Sequence, residues 1–126
     1  MAGTEQMRDG HGVVAVVDDD HAVLDSLKLL LELAGYSVAI YGSATEFLDA
    51  GETRPACLVL DHHMPRMTGL ELAERLRRDQ PDLPMLLITS VPSPAIISRA
   101  RELGIENVLH KPPAEDDLLS FVSRHS

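Results

Sequence analysis

The chain has 126 residues, of which 44% are hydrophobic, so one folded domain with a single core is expected rather than a disordered chain. The net charge of −9 would repel nucleic acid over most of the surface, which argues against direct nucleic-acid binding. Cys57 is the single cysteine, so an internal disulfide is excluded. No apolar stretch is long enough to cross a bilayer, and residues 1–11 lack the apolar segment of a signal peptide. We therefore expect a cytoplasmic protein without membrane contact, with a flexible lead over 1–11 and one domain over 12–126.

The first half of the chain alternates apolar runs with segments of helical periodicity. Residues 13–17 form a continuous β-branched run, typical of a strand buried on both faces. Apolar residues at helical spacing follow over 23–34, and Gly35 ends that helix. A second strand is predicted over 37–41. Ser43 and Glu46 have capping-box spacing for a short helix that Gly51 would end.

The second half repeats this alternation. The apolar pattern predicts strands over 56–60, 85–88 and 107–109, and helices over 69–79, around 96–103 and from Pro113 onward. Pro113 suits the first turn of the last helix, because proline lacks an amide donor that a first turn does not need. Five strands alternating with five helices predict an α/β fold with a parallel sheet covered on both faces.

Polar residues fall where the predicted strands end. Asp18, Asp19 and Asp20 follow the first strand, Asp61 follows the third, Thr89 the fourth, and Lys111 comes shortly after the fifth. Ligands of open parallel sheets bind at the carboxyl ends of the strands. We therefore expect these side chains to converge on one edge of the sheet.

The acidic residues predict a metal site. If the first and third strands are neighbours, Asp18 or Asp19 lies near Asp61, and clustered carboxylates repel one another unless a cation joins them. Mg²⁺ suits one or two carboxylates, several waters and a substrate phosphate. The competing interpretation is that acidic residues cap the following helix, and for Asp20 the two are about equally favoured. A cap needs one carboxylate rather than three, which favours the metal site for Asp18, Asp19 and Asp61.

A metal site with a free carboxylate points to phosphoryl chemistry. A carboxylate can act as a nucleophile and form an aspartyl phosphate, while the protein positions the partners. Thr89 would supply a hydroxyl donor and Lys111 a positive charge. Each of these two residues alone is more simply a routine strand-end threonine or surface lysine. Their joint placement at neighbouring strand ends favours a functional role.

These residues resemble a known family. Val17-Asp18-Asp19-Asp20, the run from Leu60 to Gly69 with the pattern Asp-x-x-Met-Pro-x-Met-x-Gly, Ile88-Thr89-Ser90 and Lys111-Pro112 look like the receiver domain of bacterial two-component response regulators. The resemblance covers residues 12–124. Within the family, residues 23–36 look like receivers attached to helix-turn-helix output domains.

The resemblance implies a flavodoxin-like, doubly wound sheet of five strands in the order 2-1-3-4-5 with five flanking helices. It implies that Asp61 takes a phosphoryl group from a histidine kinase, with Mg²⁺ held by Asp18, Asp19, Asp61 and the backbone carbonyl of His63. Thr89 matches the hydroxyl that closes on the phosphoryl group, and Lys111 the lysine that pairs with it. A cis Lys111–Pro112 peptide is also implied.

Two departures from the family pattern affect the expected signalling face. Val108 occupies the position of the family's switch aromatic, and valine cannot swing a ring between buried and exposed poses. Pro92 and Pro94 lie where the fourth helix begins, so that helix is expected to start late or be irregular. The resemblance still implies that the fourth helix, fifth strand and last helix bind an output domain, a partner or a second copy.

His62 and His63 follow Asp61 directly and suggest two interpretations. Imidazole is a common transition-metal ligand, but consecutive side chains diverge and no cysteine cluster joins them. The alternative is that His63 lines the pocket and tunes hydrolysis of the phosphoryl group. His110 is expected to face solvent.

Two other functions remain open at this point. A phosphatase of the haloacid-dehalogenase type would use Asp18 as its nucleophile, although the chain is short and lacks a late acidic pair. A degenerate receiver could act as a binding module without phosphorylation. In the favoured hypothesis the chain is a switch that catalyses its own modification and is not a conventional enzyme.

Overall fold

A computed structural model describes residues 12–50 and 54–126. The predicted lead over 1–11 and the predicted stop at Gly51 lie outside those ranges. Five strands alternate with five helices: β1 (Val14–Val17), α1 (His21–Leu33), β2 (Val38–Tyr41), α2 (Ala44–Ala50), β3 (Cys57–Asp61), α3 (Gly69–Asp79), β4 (Met85–Thr89), α4 (Pro94–Glu102), β5 (Asn107–His110) and α5 (Glu115–His125). None of the helices described in 12–50 and 54–126 is long and apolar enough to cross a membrane.

The strands form one parallel sheet in the order β2-β1-β3-β4-β5, which confirms the predicted α/β fold. Alternate residues of each strand point to opposite faces, so the sheet carries two apolar layers. One layer packs against α1 and α5 and includes Val16, Val59 and Ile88. The other packs against α2, α3 and α4 and includes Val17, Leu60 and Leu87. Every residue of β1, β3 and β4 is buried, as continuous apolar runs predict for inner parallel strands.

Helix boundaries follow local capping chemistry. The Ser43 hydroxyl accepts a hydrogen bond from the Glu46 amide at 3.0 Å, at the predicted start of α2. The expected irregularity of α4 was wrong, because Ser93 caps the helix and Pro94 occupies its first turn, where a missing amide costs no hydrogen bond.

The predicted position of Pro113 was also wrong. The last helix begins at Glu115, since Ala114 keeps an extended backbone and provides no side-chain cap. Three acidic residues, Glu115, Asp116 and Asp117, occupy the first turn instead, where the positive end of the helix dipole favours them.

Candidate functional site

Strand pairing brings the polar strand ends together. Val17 pairs with Leu60 across β1 and β3, so Asp18 and Asp61 follow side by side at the carboxyl edge. Asp61 pairs with Ile88 across β3 and β4, and Thr89 comes next along β4. Asp18, Asp61 and Thr89 are the buried polar residues of the described chain, each 1% exposed or less. The sequence prediction that these side chains share one edge is thus consistent with the register of the sheet.

A carboxylate cluster lies at this edge. Oxygens of Asp18, Asp19 and Asp61 all lie within 4.8 Å of one another, with Asp18 and Asp61 buried and Asp19 exposed. The cluster therefore opens to solvent on the side of Asp19. Asp20 does not belong to it, because its Oδ1 accepts hydrogen bonds from the amides of Ala22 at 2.9 Å and Val23 at 3.3 Å. For Asp20, the helix-cap interpretation describes the geometry.

Lys111 reaches the same cluster. Its ammonium Nζ lies 2.8 Å from Asp18 Oδ2 and 3.3 Å from Asp61 Oδ1, so Lys111 forms an ion pair with each carboxylate. The Lys111 amide donates to the Thr89 carbonyl at 2.9 Å, and the Lys111–Pro112 peptide is cis. Burial lowers the pKa of Lys111, but the carboxylates of Asp18 and then Asp61 outweigh burial and raise it above its usual value. Lys111 therefore stays charged at neutral pH.

The cluster has more negative charge than its own lysine can balance. Burial, followed by the charge of Asp18, raises the pKa of Asp61 to about 6, and Lys111 only partly offsets this. Apart from the Lys111 ammonium, no group of the described residues is a partner for the buried oxygens Asp18 Oδ2 and Asp61 Oδ1. Two buried carboxylates that share one ammonium, with a third carboxylate within 4.8 Å, fit a hard divalent cation with oxygen ligands.

The turn after β3 depends on close packing against α3. The amides of Met64 and Gly69 both donate to the His62 carbonyl at 3.0 Å. A Cβ at Gly69 would lie 2.4 Å from the Asp61 carbonyl oxygen, so only glycine fits this approach. Thr68 and Glu71 form a capping box that starts α3 at this point. The Gly69 of the sequence motif therefore holds α3 against the strand that carries Asp61.

The two histidines after Asp61 differ in burial. His62 is half-buried, and burial followed by the charge of His63 lowers its pKa. The side chain of His63 is exposed, and the two rings meet edge to face with centroids 4.9 Å apart. Within residues 12–50 and 54–126 neither joins a cluster of three potential metal ligands. His110 is exposed, as predicted.

Thr89 joins the site to the following loop. Its hydroxyl accepts a hydrogen bond from the Val91 amide at 3.2 Å. Val108 is half-buried and packs on the apolar layer shared with α3 and α4.

Sequence reasoning missed Arg77, whose guanidinium binds backbone carbonyls at the ends of two helices. No local pattern could have revealed it, because an arginine within a polar helix face resembles any surface arginine.

Comparison with known proteins gives one consistent result. A family model described as "Response regulator receiver domain" matches residues 14–123. Among curated proteins, the chain is 35% identical to the response regulator protein TmoT of Ectopseudomonas mendocina, over 95% of this chain and 55% of that protein. It is 36% identical to the transcriptional regulatory protein FixJ of Bradyrhizobium diazoefficiens, over 88% of this chain and 55% of FixJ. The chain thus spans about half the length of these relatives.

Solved structures agree with this match. A receiver domain protein from Methanospirillum hungatei, described as CheY-like, superposes with a TM-score of 0.84 at 30% identity, over 90% of this chain and 91% of that one. The structure described as FixJ-N superposes with a TM-score of 0.80, also at 30% identity, over 90% of this chain and 92% of that one.

Proposed function

Because this chain belongs to the response regulator receiver domain family, a family of two-component phosphoacceptor switches, we propose that Asp61 is its phosphoacceptor. The observation that carries this proposal is the convergence of Asp18, Asp19 and Asp61 within 4.8 Å, with Lys111 against two of them. Of the three, Asp61 ends β3, the central strand of the sheet, which pairs with β1 on one side and β4 on the other.

Asp18, Asp19 and Asp61 would hold Mg²⁺, together with the backbone carbonyl of His63. Their geometry supports this assignment, because oxygens of three carboxylates lie within 4.8 Å of one another and Lys111 is the one cation of the described residues that pairs with them. When bound, the ion offsets negative charge on the oxygens of the incoming phosphoryl group.

The chain's own residues would position and stabilise the transferred group. A carboxylate oxygen of Asp61 attacks the phosphorus of a phosphohistidine, the N–P bond breaks, and the imidazole leaves with its electron pair and takes up a proton. Lys111 supplies a fixed positive charge to the new phosphoryl oxygens. Thr89 loses the hydrogen bond that its hydroxyl accepts from the Val91 amide, and the hydroxyl then donates a hydrogen bond to a phosphoryl oxygen. The chain would in this way catalyse its own modification.

The donor we propose is a histidine kinase, and the receiver of the signal is an output region or a second copy. Phosphorylation would change the surface made by α4, β5 and α5, which would bind that partner. The match covers about half the length of the curated relatives, and one of them is named a transcriptional regulatory protein. This supports an output function in transcription for the protein that contains such a domain.

The direct test is incubation with acetyl phosphate and Mg²⁺, followed by intact mass measurement. The wild-type chain should gain one phosphoryl group, and Asp61→Asn should gain none. Asp20→Asn is the matched control, because Asp20 lies beside the cluster but caps α1 and asparagine also caps helices. It should be phosphorylated like the wild type.

Two other outcomes would each support a different function. Phosphorylation of Asp18 that persists in Asp61→Asn would indicate the haloacid-dehalogenase chemistry. No mass gain in the wild type, with acetyl phosphate or a kinase, would indicate a binding module that is not controlled by phosphorylation. The family match favours neither of them.

A further inference from the structure

Arg77, near the end of α3, connects three separate segments of the chain. Its guanidinium donates hydrogen bonds to four backbone carbonyls: those of Gln80 at 3.1 Å, Leu83 at 2.7 Å, Leu103 at 2.7 Å and Gly104 at 3.2 Å. Gln80 ends α3, Leu83 precedes β4, and Leu103 and Gly104 end α4. One side chain thus joins the carboxyl ends of two helices.

The chemistry of helix ends explains why an arginine suits this position. The last carbonyls of a helix have no partner within the helix, and the helix dipole places negative charge there. A guanidinium has five N–H donors in a rigid plane, so it can serve several carbonyls at once. Gly104 has φ 71°, the left-handed conformation that commonly ends helices. The salt bridge from Arg99 to Glu74, at 3.0 Å, is a second link between α4 and α3.

The amino end of α4 is attached differently. The loop before α4 is joined to the candidate site by a hydrogen bond that the Val91 amide donates to the Thr89 hydroxyl. Ser93 caps the helix by accepting a hydrogen bond from the Ile96 amide. Val91 is 63% exposed, and Ala100 is the buried hydrophobic residue of α4. Near the amino end of α4 only the partly buried Ile96 packs on the core, whereas the buried Ala100 lies closer to the carboxyl end. A change in the Thr89 hydrogen bond would therefore reach α4 first at its amino end.

We propose that Arg77 is the pivot of α4: it fixes the carboxyl end of the helix while the amino end moves with Thr89. Arg77 touches neither Asp61 nor the phosphoryl group in this scheme, so it is a positioning residue. The proposal rests on the proposed function, because it needs a signal that enters at Thr89.

The test compares backbone amide hydrogen exchange along α4 with and without Mg²⁺ and beryllium fluoride, a mimic of a phosphoryl group on a carboxylate. In the wild type, exchange of the amides of Val91, Ser93 and residues 95–97 should change by about fivefold or more, and that of residues 101–105 by less than about twofold. This measurement on the unaltered chain needs no variant. Intact mass after acetyl phosphate treatment is measured in parallel.

Arg77→Met and Arg77→Lys test the residue itself, with Arg78→Met as the matched control. Arg78 is the next residue of α3 and is exposed. In Arg77→Met the exchange change should spread to residues 101–105, whereas Arg78→Met should keep the wild-type distribution. Arg77→Lys keeps the charge but loses the planar fork, so it should give an intermediate spread. A general loss of stability would instead raise exchange throughout the sheet, with or without beryllium fluoride.

Each result decides between the proposals. Phosphorylation of the wild type, with exchange changes equal at both ends of α4, would overturn the pivot and leave the proposed function standing. The same would follow if Arg77→Met and Arg78→Met behaved alike. Failure of the wild type to accept a phosphoryl group would overturn the proposed function and the pivot together.

Discussion

Two regions of the molecule differ in how deeply their residues are buried. One is the carboxyl edge of β1, β3 and β4, and the other is the face made by α4 and β5. All residues of the three inner strands are buried, and they carry Asp18, Asp61 and Thr89. In β5, by contrast, both end residues are exposed, and Ala100 is the buried residue of α4. Carboxylates that must stay close together need a rigid support, whereas a surface that must change needs a small energetic cost of movement. Under the proposed function, this contrast separates the phosphoryl chemistry from the surface that would respond to it.

The largest expected difference between the two regions is in core packing. Leu60→Ala in β3 removes a fully buried side chain and should lower the free energy of unfolding by about 2–5 kcal/mol. Ile97→Ala in α4 removes a side chain that is 40% exposed and should change it by about 0.5 kcal/mol or less. Urea unfolding of both variants measures the difference. Equal losses would show that α4 is as firmly packed as the inner strands.

The next prediction concerns the charge of the carboxylate cluster. The folded-state pKa of Asp61 lies near 6, above its usual 3.8, so ionisation destabilises the folded chain. This group's favourable contribution is complete below pH 3.8 and is lost as pH rises through about 6. Asp61→Asn should therefore stabilise the metal-free chain by up to about 3 kcal/mol at pH 8, and by about half as much at pH 5.

Urea unfolding in the presence of a chelator, at pH 5 and pH 8, measures this gain. Asp20→Asn is the control, since the carboxylate of Asp20 is exposed and caps α1. It should leave stability nearly unchanged at both pH values. A gain for Asp61→Asn that is larger at pH 5 than at pH 8 would contradict the burial of an ionised carboxylate.

The caps of α3 and α4 give a third comparison between the two regions. Thr68 caps α3 beside the site, and Ser93 caps α4 on the face made by α4 and β5. Each change to alanine removes a cap worth about 1 kcal/mol. For Thr68→Ala we expect the free energy of global unfolding to fall by this amount, because α3 is packed on the core. For Ser93→Ala we expect faster amide exchange mainly at residues 95–97, measured by hydrogen exchange, with little change in global stability. A purely global effect of Ser93→Ala would contradict local opening of α4.

The smallest expected effect is that of the exposed salt bridge between α3 and α4. Glu74→Gln removes the partner of Arg99, and both side chains are more than 40% exposed. Screening by water limits the loss in unfolding free energy to less than about 0.5 kcal/mol. Thermal unfolding at low and high salt measures it, and any effect should shrink as salt is added. A large, salt-independent loss would mean that this pair, rather than Arg77, fastens α4.

Most of the fold could be predicted because its signals are local. The β-branched run before Asp18 and the apolar run before Asp61 each identified a strand that is buried on both faces. Errors arose at helix starts next to proline. Ser93 was overlooked as a cap before Pro94, and the extended Ala114 delays α5 beyond Pro113. Such boundaries depend on the backbone angles of one or two residues, which composition does not determine.

The candidate site was predictable for a different reason. Parallel strands end at one edge, so residues that follow neighbouring strands must be close once the strand order is known. The sequence alone could not separate Asp20, a helix cap, from Asp18 and Asp19. The sequence also predicted that Lys111 would pair with a phosphoryl group. It gave no sign that the ammonium lies closer to Asp18 than to Asp61.

The amino-acid sequence by itself determined the order of strands and helices, the burial of the inner strands, and the identity of the acidic, hydroxyl and lysine groups at their ends. These follow from periodicity and residue chemistry, which act over a few neighbouring residues. Only the tertiary structure decided which carboxylate oxygens lie within 4.8 Å of one another and that Arg77 joins the ends of α3 and α4. Such contacts connect residues 26 or more positions apart, and their geometry exists only after the sheet and helices have packed.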